Sequence, residues 1–317
     1  MSRILLTSKL FTPALEALSA HELLLPKPEG SMTVDEIAAA AKDVDALICQ
    51  LTDRIGESII ASATDLAVIA TVSVGFDNVD VAAATRAGIP VCNTPGVLAE
   101  TTADLAFALI LAASRVLADS ERDLRQGGWK KWELDGYLGQ DVYGATLGLV
   151  GYGRIGQAVA KRAEGFSMRV IHHDLAPTGL PGYVDDLDEL VSQADVLSLH
   201  VPLTAETRHL IDARRLALMK PTAVLVNTAR GPVVDEEALA AALESGSLFA
   251  AGIDVYEQEP NVHPRLLAAP RTVLLPHIGS ASSATRLAMA KLATSAVAEV
   301  LAGGRPANTV NPEVFDK

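Results

Sequence analysis

Gly151-Tyr152-Gly153-Arg154-Ile155-Gly156 is a Gly-x-Gly-x-x-Gly turn. The stretch Thr146-Leu147-Gly148-Leu149-Val150 before it reads as a buried strand, and residues 157–163 after it read as a helix. A dinucleotide pyrophosphate needs that order. The first glycine makes the tight turn, the second lets backbone approach the phosphates, and the third lets the helix pack closely on the strand. The helix N-terminus then offers unpaired N–H groups and a partial positive charge to the anion. The next strand candidate, residues 168–173, runs into Asp174, 18 residues past Gly156. A carboxylate there can accept both ribose hydroxyls of an adenosine and repels a 2′-phosphate. No Arg or Lys follows it in Leu175-Ala176-Pro177-Thr178, so these residues favour NAD(H) over NADP(H) as cofactor.

Three further polar segments recur at strand ends: Val226-Asn227-Thr228-Ala229-Arg230-Gly231, Gly252-Ile253-Asp254-Val255-Tyr256-Glu257-Gln258-Glu259-Pro260 and Leu275-Pro276-His277-Ile278-Gly279-Ser280. Ligands of open α/β sheets bind outside the carboxyl ends of the strands, so these segments face the cofactor.

The elements that must hold them are short apolar runs alternating with helical patterns. Strands are expected at 4–7, 46–51, 66–70 and 89–93, with helices near 13–20, 34–41 and 79–87. Asn93-Thr94-Pro95-Gly96 then breaks the pattern and is the candidate hinge. From Glu100 to about Leu117 runs a helix that is apolar almost all round and should be buried. An irregular arm follows, Arg125-Gln126-Gly127-Gly128-Trp129-Lys130-Lys131-Trp132, which holds both tryptophans of the chain. Strands resume at 146–151, 168–173, 196–200, 223–227, 250–254 and 272–275, and a long Ala-rich helix covers 283–302. Strands alternating with helices imply βαβ units and parallel sheets.

The length of 317 residues exceeds what one hydrophobic core usually fills, so two domains are expected. Hydrophobic residues make up 49% of the chain but aromatics only 4%, which predicts an aliphatic core suited to parallel sheets covered on both faces. The net charge of −13, without any basic run, argues against nucleic acid or an anionic membrane as partner. An anionic ligand must therefore be met by local positive groups. The two cysteines, Cys49 and Cys92, each end an apolar run and read as reduced, buried small hydrophobes. Met1 to Thr7 is too short in apolar residues for a signal peptide, and no apolar run reaches the ~18 residues of a membrane span, so a cytoplasmic protein is expected. The acidic clusters Asp185-Asp186 and Asp235-Glu236-Glu237 read as solvated helix starts, and no metal site is expected.

The chain resembles the D-isomer-specific 2-hydroxyacid dehydrogenases, and within them the glyoxylate/hydroxypyruvate reductase branch. The matching text is Ser73-Val74-Gly75-Phe76-Asp77-Asn78-Val79-Asp80, Asn93-Thr94-Pro95-Gly96, the Gly-rich turn and the three strand-end segments. It spans the chain nearly end to end in the family's order. The resemblance implies a catalytic set of Arg230, Glu259 and His277. Arg230 would clamp the substrate carboxylate and keto oxygen with its planar fork and steady the developing alkoxide. His277 would be the acid in reduction and the base in oxidation, with Glu259 holding its other ring nitrogen. Asp254 would orient the nicotinamide or its neighbours. The implied cofactor contacts are Gly151, Gly153, Arg154, Ile155, Gly156, Asp174, Val201, Pro202, Thr207, Thr228, Asp254, Gly279 and Thr102. The implied substrate contacts are Leu51, the Val74-Gly75 turn, Arg230 and Ser280. His172, His173, His200, His209 and His263 receive no catalytic role.

The resemblance also implies a Rossmann-type cofactor domain, residues 99–284, inserted into a flavodoxin-like substrate domain, residues 1–98 and 285–317. The active site would lie in the cleft, closed by hinge motion. The helix and arm from Glu100 to about Gln140 would form a homodimer surface, with Trp132 a candidate to reach the partner's substrate pocket. Two alternatives stand beside the small 2-keto acid. One is another member of the family acting on lactate, phosphoglycerate or a longer 2-keto acid. The other is a non-catalytic NADH-sensing protein like the corepressors that share the fold. No C-terminal regulatory domain is expected before Lys317, which disfavours phosphoglycerate.

Overall fold

The computed structural model describes residues 1–26 and 32–316; Lys317, the last residue of the expected substrate domain, lies outside the described residues. The chain divides into two compact units, Met1–Leu98 with Ser280–Lys317, and Ala99–Gly279. The units change over at Ser280, where the resemblance implies residue 285.

The first unit is built on five parallel strands: β1 (Arg3–Leu6), β2 (Glu22–Leu24), β3 (Ala46–Cys49), β4 (Val68–Thr71) and β5 (Val91–Cys92). Their order is β2-β1-β3-β4-β5, the flavodoxin-like arrangement. β3 and β4 are buried along their whole length, as unbroken apolar runs in a covered parallel sheet must be. β2 was not expected: its Leu23 and Leu24 follow an exposed Glu, and so short an apolar run does not by itself distinguish a strand from a helix. One face of the sheet is covered by Ile37, Ile59, Ile60, Ala83 and Ala84 from the helices Val34–Ala40, Glu57–Ser62 and Val81–Ala87. The Val34–Ala40 helix opens with a Thr33/Glu36 capping box. The other face is closed by the terminal helix Ser283–Leu301, whose Met289, Ala290, Ala293 and Val297 pack with Ala14 and Leu18. Asn311 then pins the end of the chain: its Oδ1 accepts the Val91 N–H at 2.7 Å and its Nδ2 donates to the Ile89 carbonyl at 3.0 Å.

The second unit carries six parallel strands: β6 (Thr146–Val150), β7 (Arg169–His173), β8 (Val196–Leu199), β9 (Val224–Asn227), β10 (Ala250–Ile253) and β11 (Thr272–Leu274). Their order is β11-β10-β9-β8-β6-β7. Beyond β7, Tyr183 forms a single parallel bridge with His172, and the flanking bonds, His172 N–H to Gly182 O and Val184 N–H to His172 O, are both 2.8 Å. The third strand of a Rossmann sheet is thus reduced to one bridge. The strand order reverses between β6 and β8, the switch point at which such sheets bind ligands.

The apolar helix Ala99–Ser114 buries Ala103, Ala106, Leu109, Ile110 and Ala113 in this unit. It comes so close to β10 that a side chain on Gly252 would sit 2.9 Å from Leu109 Cβ. It ends earlier than the sequence suggested. Val116 takes φ +47°, and a second helix, Leu117–Arg125, leaves at a bend of 65°, ahead of the arm expected from Arg125. Among the described residues no single helix is long and apolar enough to cross a membrane; the bent pair passes by length and composition, but its first member is core. After Arg125 the arm turns its apolar side chains outward: Trp132 is 74% exposed, and Trp129, Leu134, Leu138 and Tyr143 are exposed with it.

Candidate active site

The three glycines of the turn divide the labour the sequence assigned them. Gly151 has φ +91°, and a Cβ there would lie 2.7 Å from the His200 carbonyl carbon. A Cβ on Gly156 would lie 2.3 Å from the Gly151 oxygen, so that glycine is needed for helix and turn to touch. A Cβ on Gly153 would meet nothing within 4 Å, which makes Gly153 the glycine that faces open space. The helix Arg154–Glu164 begins there without a side-chain cap among the described residues, leaving the N–H groups around Arg154 and Ile155 for an anion.

Asp174 follows the end of β7 and ties it to the turn: Oδ2 accepts the Tyr152 N–H and Oδ1 the Leu175 N–H, each at 2.8 Å. A carboxylate oxygen has a second acceptor site, so both ribose hydroxyls can still be taken. Tyr152 stacks on the buried His172 ring at 3.7 Å between centroids. The Val201 N–H lies against Gly151, and Thr207 braces this loop by donating to the Pro202 carbonyl at 2.7 Å. His200 bonds Ser198 Oγ at 2.9 Å, and burial lowers its imidazole to about 4, so it is neutral. At the end of β9, Thr228 Oγ1 is buried without a hydrogen-bond partner among the described residues. An open glycine, an uncapped helix start, a carboxylate with spare acceptor sites and an orphaned buried hydroxyl at strand ends fit a nicotinamide dinucleotide.

The second group of side chains lies on the loops after β9, β10 and β11. His277 Nδ1 is 2.8 Å from Glu259 Oε2. Glu259 Oε1 accepts the Tyr256 N–H at 3.0 Å, so the carboxylate is held on both oxygens. His277 sits at φ +52°, a conformation an L-residue keeps only when its surroundings impose it. Asp254 imposes it: its carbonyl accepts the His277 N–H at 2.9 Å, and its two carboxylate oxygens accept the Ile278 and Gly279 N–H groups, each at 2.8 Å. Burial pushes the Asp254 carboxyl above its ordinary value, and the backbone donors oppose that. Thr102 is buried beside this loop, its Oγ1 3.6 Å from where a Gly279 Cβ would stand.

Arg230 leaves β9 through a turn braced by Asn227, whose Oδ1 accepts the Ala229 N–H at 3.0 Å and whose Nδ2 donates to the Arg230 carbonyl at 2.9 Å. The Arg230 Nη1 donates to the Ala229 carbonyl at 2.8 Å. Gly231 is required next: a Cβ would overlap the Tyr256 carbonyl carbon at 1.8 Å. The Arg230 loop and the Glu259 loop are therefore packed backbone to backbone.

In the first unit, the Val74-Gly75 turn is set by its carbonyls. Asn93 Nδ2 donates to Val74 O at 2.7 Å and Ser73 Oγ to Gly75 O at 2.6 Å. Asn78 Nδ2 donates to the Gln50 and Asp53 carbonyls, each at 3.0 Å, which fixes the loop carrying Leu51. Ser280 opens the return segment, its carbonyl accepting the Ser282 N–H at 2.8 Å.

Asn78, Asn93 and Asn227 had not been singled out, although each stands inside a quoted motif; their signal is a side-chain amide next to a loop that needs bracing. Glu236 is a correction. It was expected on a solvated helix start, but it is buried, because both its oxygens accept backbone N–H groups of the neighbouring loop. Among the described residues no group of three or more His, Cys, Asp or Glu side chains could hold a metal ion.

Comparison with known proteins joins these observations. Residues 107–279 match the family model described as D-isomer specific 2-hydroxyacid dehydrogenase, NAD binding domain. A glyoxylate reductase of Korarchaeum cryptofilum is 46% identical over 323 residues, covering 98% of this chain and 96% of its own. One of Thermococcus onnurineus is 41% identical over 329 residues, covering 99% and 97%. Among solved structures, a protein of Thermus thermophilus superposes with a TM-score of 0.92 at 46% identity, covering 97% of this chain and 99% of its own. An NADPH-dependent glyoxylate/hydroxypyruvate reductase of Sinorhizobium meliloti, in complex with NADP and malonate, superposes with a TM-score of 0.88 at 35% identity, covering 99% and 98%.

Proposed function

Since the chain belongs to the D-isomer-specific 2-hydroxyacid dehydrogenases, oxidoreductases that act on small 2-keto acids with a nicotinamide cofactor, we propose that it reduces glyoxylate or hydroxypyruvate with NADH. The product is the 2-hydroxy acid, the D-isomer where it is chiral. The observation that carries this reading is the 2.8 Å contact of His277 Nδ1 with Glu259 Oε2 beside the braced Arg230 turn. The bound reduced cofactor supplies the hydride. Arg230 pairs its guanidinium with the substrate carboxylate and keto oxygen and offsets the charge that grows there. With Nδ1–H held by Glu259, Nε2 of His277 is the atom that delivers the proton to that oxygen, and in oxidation the atom that removes it. In the first unit, the N–H groups of the Val74-Gly75 turn are our candidates for the substrate carboxylate, with Leu51 and Ser280 as pocket residues. Asp254 shapes the His277 loop.

NADH is our choice over NADPH because Asp174 offers a carboxylate where a 2′-phosphate would need a cation. The Sinorhizobium relative is NADPH-dependent, so the ratio of kcat/KM for the two cofactors is the deciding measurement; a clear NADPH preference overturns this part. The two-domain assignment, cofactor domain within substrate domain, is part of the same proposal.

We propose a homodimer through residues 100–140. The outward Trp129, Trp132, Leu134 and Leu138 support it, since exposed clustered aromatics favour interfaces. A stable monomer in dilute sedimentation runs refutes it. A cytoplasmic setting is supported by two free, buried thiols, of which Cys49 is pushed up to about 12 by burial and is inert.

The test of the activity is loss of NADH absorbance with glyoxylate, hydroxypyruvate, pyruvate, 2-ketobutyrate and phenylpyruvate, with Arg230→Ala alongside. Fast turnover of either of the first two, abolished in the variant, supports the reading. Tight NADH binding without turnover on any acid rejects it and favours a sensor.

A further inference from the structure

Glu236 and Glu257 form a reciprocal clamp behind the catalytic loop. The Glu236 N–H donates to Glu257 Oε1 at 3.0 Å, and the Glu257 N–H donates to Glu236 Oε1 at 2.6 Å. Glu236 Oε2 also accepts the His263 N–H at 3.3 Å. One carboxylate thus grips the segment on both sides of Glu259, at residues 257 and 263. Glu236 is only 5% exposed, and a buried carboxylate is retained at a cost, here raised above its ordinary range chiefly by desolvation. Of the charged neighbours, Glu257 and Glu237 are engaged, and His263 through Nε2 only, its Nδ1 being buried without a hydrogen-bond partner among the described residues. Glu257 Oε2 bonds His209 Nε2 at 3.0 Å, and His263 Nε2 bonds Glu237 Oε2 at 3.1 Å, with Arg265 on the far side of Glu237. His209 itself is held at φ +49° by its N–H bond to the Pro232 carbonyl at 2.7 Å.

None of these groups touches His277, but the segment they grip is the one that aims Glu259 at it. Next to the clamped end at Glu257, the Tyr256 N–H holds Glu259 Oε1 and the Tyr256 hydroxyl donates to the Leu275 carbonyl at 2.9 Å, just before His277. We propose that Glu236 is a positioning residue for the Glu259–His277 pair, acting by fixing both ends of the 257–263 segment so that Glu259 selects the Nδ1–H tautomer of His277. The proposal rests on the reading of that pair as the acid/base couple. A helix start that needed only a favourable charge would leave its acid in solvent, as Glu237, the next residue, is left.

The experiment uses the full chain labelled with 15N-histidine. Long-range ring N–H spectra report the His277 tautomer, assigned by its loss in His277→Gln, with Glu259→Gln as the positive control. Glu236→Gln keeps the shape but offers only one acceptor oxygen to two backbone donors. It should lose the fixed Nδ1–H tautomer and lower kcat about tenfold to a hundredfold, while KM for the keto acid and Kd for NADH stay within about twofold. If Glu236→Gln does not fold, Glu257→Gln carries the test, with the same ring change at smaller amplitude. An unchanged His277 tautomer with kcat within about twofold of wild type overturns the proposal. A wild-type protein that turns over no keto acid, yet whose ring signal still responds to Glu236→Gln, supports the clamp and sinks the proposed activity instead.

Discussion

His277 and Glu259 meet at 2.8 Å, Nδ1 to Oε2, although they stand 18 positions apart in the chain with a strand between them, and His277 is held there at φ +52°. The imidazole is fixed by the Glu259 carboxylate on its ring, by the Asp254 carbonyl on its own N–H, and by the Asp254 carboxylate on the N–H groups of the next two residues, Ile278 and Gly279. Removing the ring partner is therefore the sharpest test of acid–base function. Glu259→Gln should lower kcat by about a hundredfold or more, because the wrong tautomer becomes available, and leave KM for the keto acid nearly unchanged. Steady-state kinetics with kcat and KM resolved separately check this; a change in KM alone contradicts it.

Arg230→Lys tests the fork. Lysine keeps the charge but cannot present two parallel N–H donors, so kcat/KM should fall about a hundredfold, close to 3 kcal/mol of transition-state binding. A loss of less than about threefold would mean that charge alone suffices there.

Two glycines of the same turn should fail in different ways. Gly153→Ala puts a methyl into open space, so melting should be unchanged while Kd for NADH rises at least about tenfold. Gly156→Ala drives a methyl to 2.3 Å from the Gly151 oxygen, so the melting temperature should drop by several degrees before any cofactor is added. Calorimetry and fluorescence titration separate the two effects.

Asp174→Ser removes the acceptor for the ribose hydroxyls and the repulsion toward a 2′-phosphate. The NADH-to-NADPH ratio of kcat/KM should fall by about tenfold or more, mostly through weaker NADH binding. A ratio unchanged from wild type would show that Asp174 serves only the Tyr152 and Leu175 N–H groups it already holds.

One electrostatic prediction concerns stability rather than chemistry. Asp188 is gripped by Arg214 and by Arg215, whose Nε lies 2.8 Å away, and these bonds, Arg214 first, lower its carboxyl from 3.8 to about 2. A depressed carboxyl stabilises the fold above its unfolded value, and that contribution is lost as pH falls through the folded one. The melting-temperature difference between wild type and Asp188→Asn should be present at neutral pH and close as pH falls from 3.8 to about 2. The pair is partly solvated, so the difference should be no more than about a few degrees. A difference that persists at the acid end would contradict the assignment.

Much of this molecule was legible along the chain. The parallel strands of the second unit announced themselves as apolar runs, and the glycine spacing between β6 and its helix named the turn, because both signals are local: backbone sterics and side-chain alternation act over a few residues. The resemblance points to Arg230, Glu259 and His277 by the order of the strand-end segments alone. What the chain did not reveal depended on partners far away in sequence. β2 is a strand because β1 lies beside it; its two leucines alone would serve a helix as well. The helix from Ala99 stops at Ser114 and the chain bends at Val116, with no glycine or proline to mark it, so the apolar pattern carries the expected helix on to about Leu117. Glu236 looked like any solvated acid of a first helical turn. It is buried because the N–H groups of Glu257 and His263 are brought against it from another loop, and only the folded chain decides which backbone donors a carboxylate will meet.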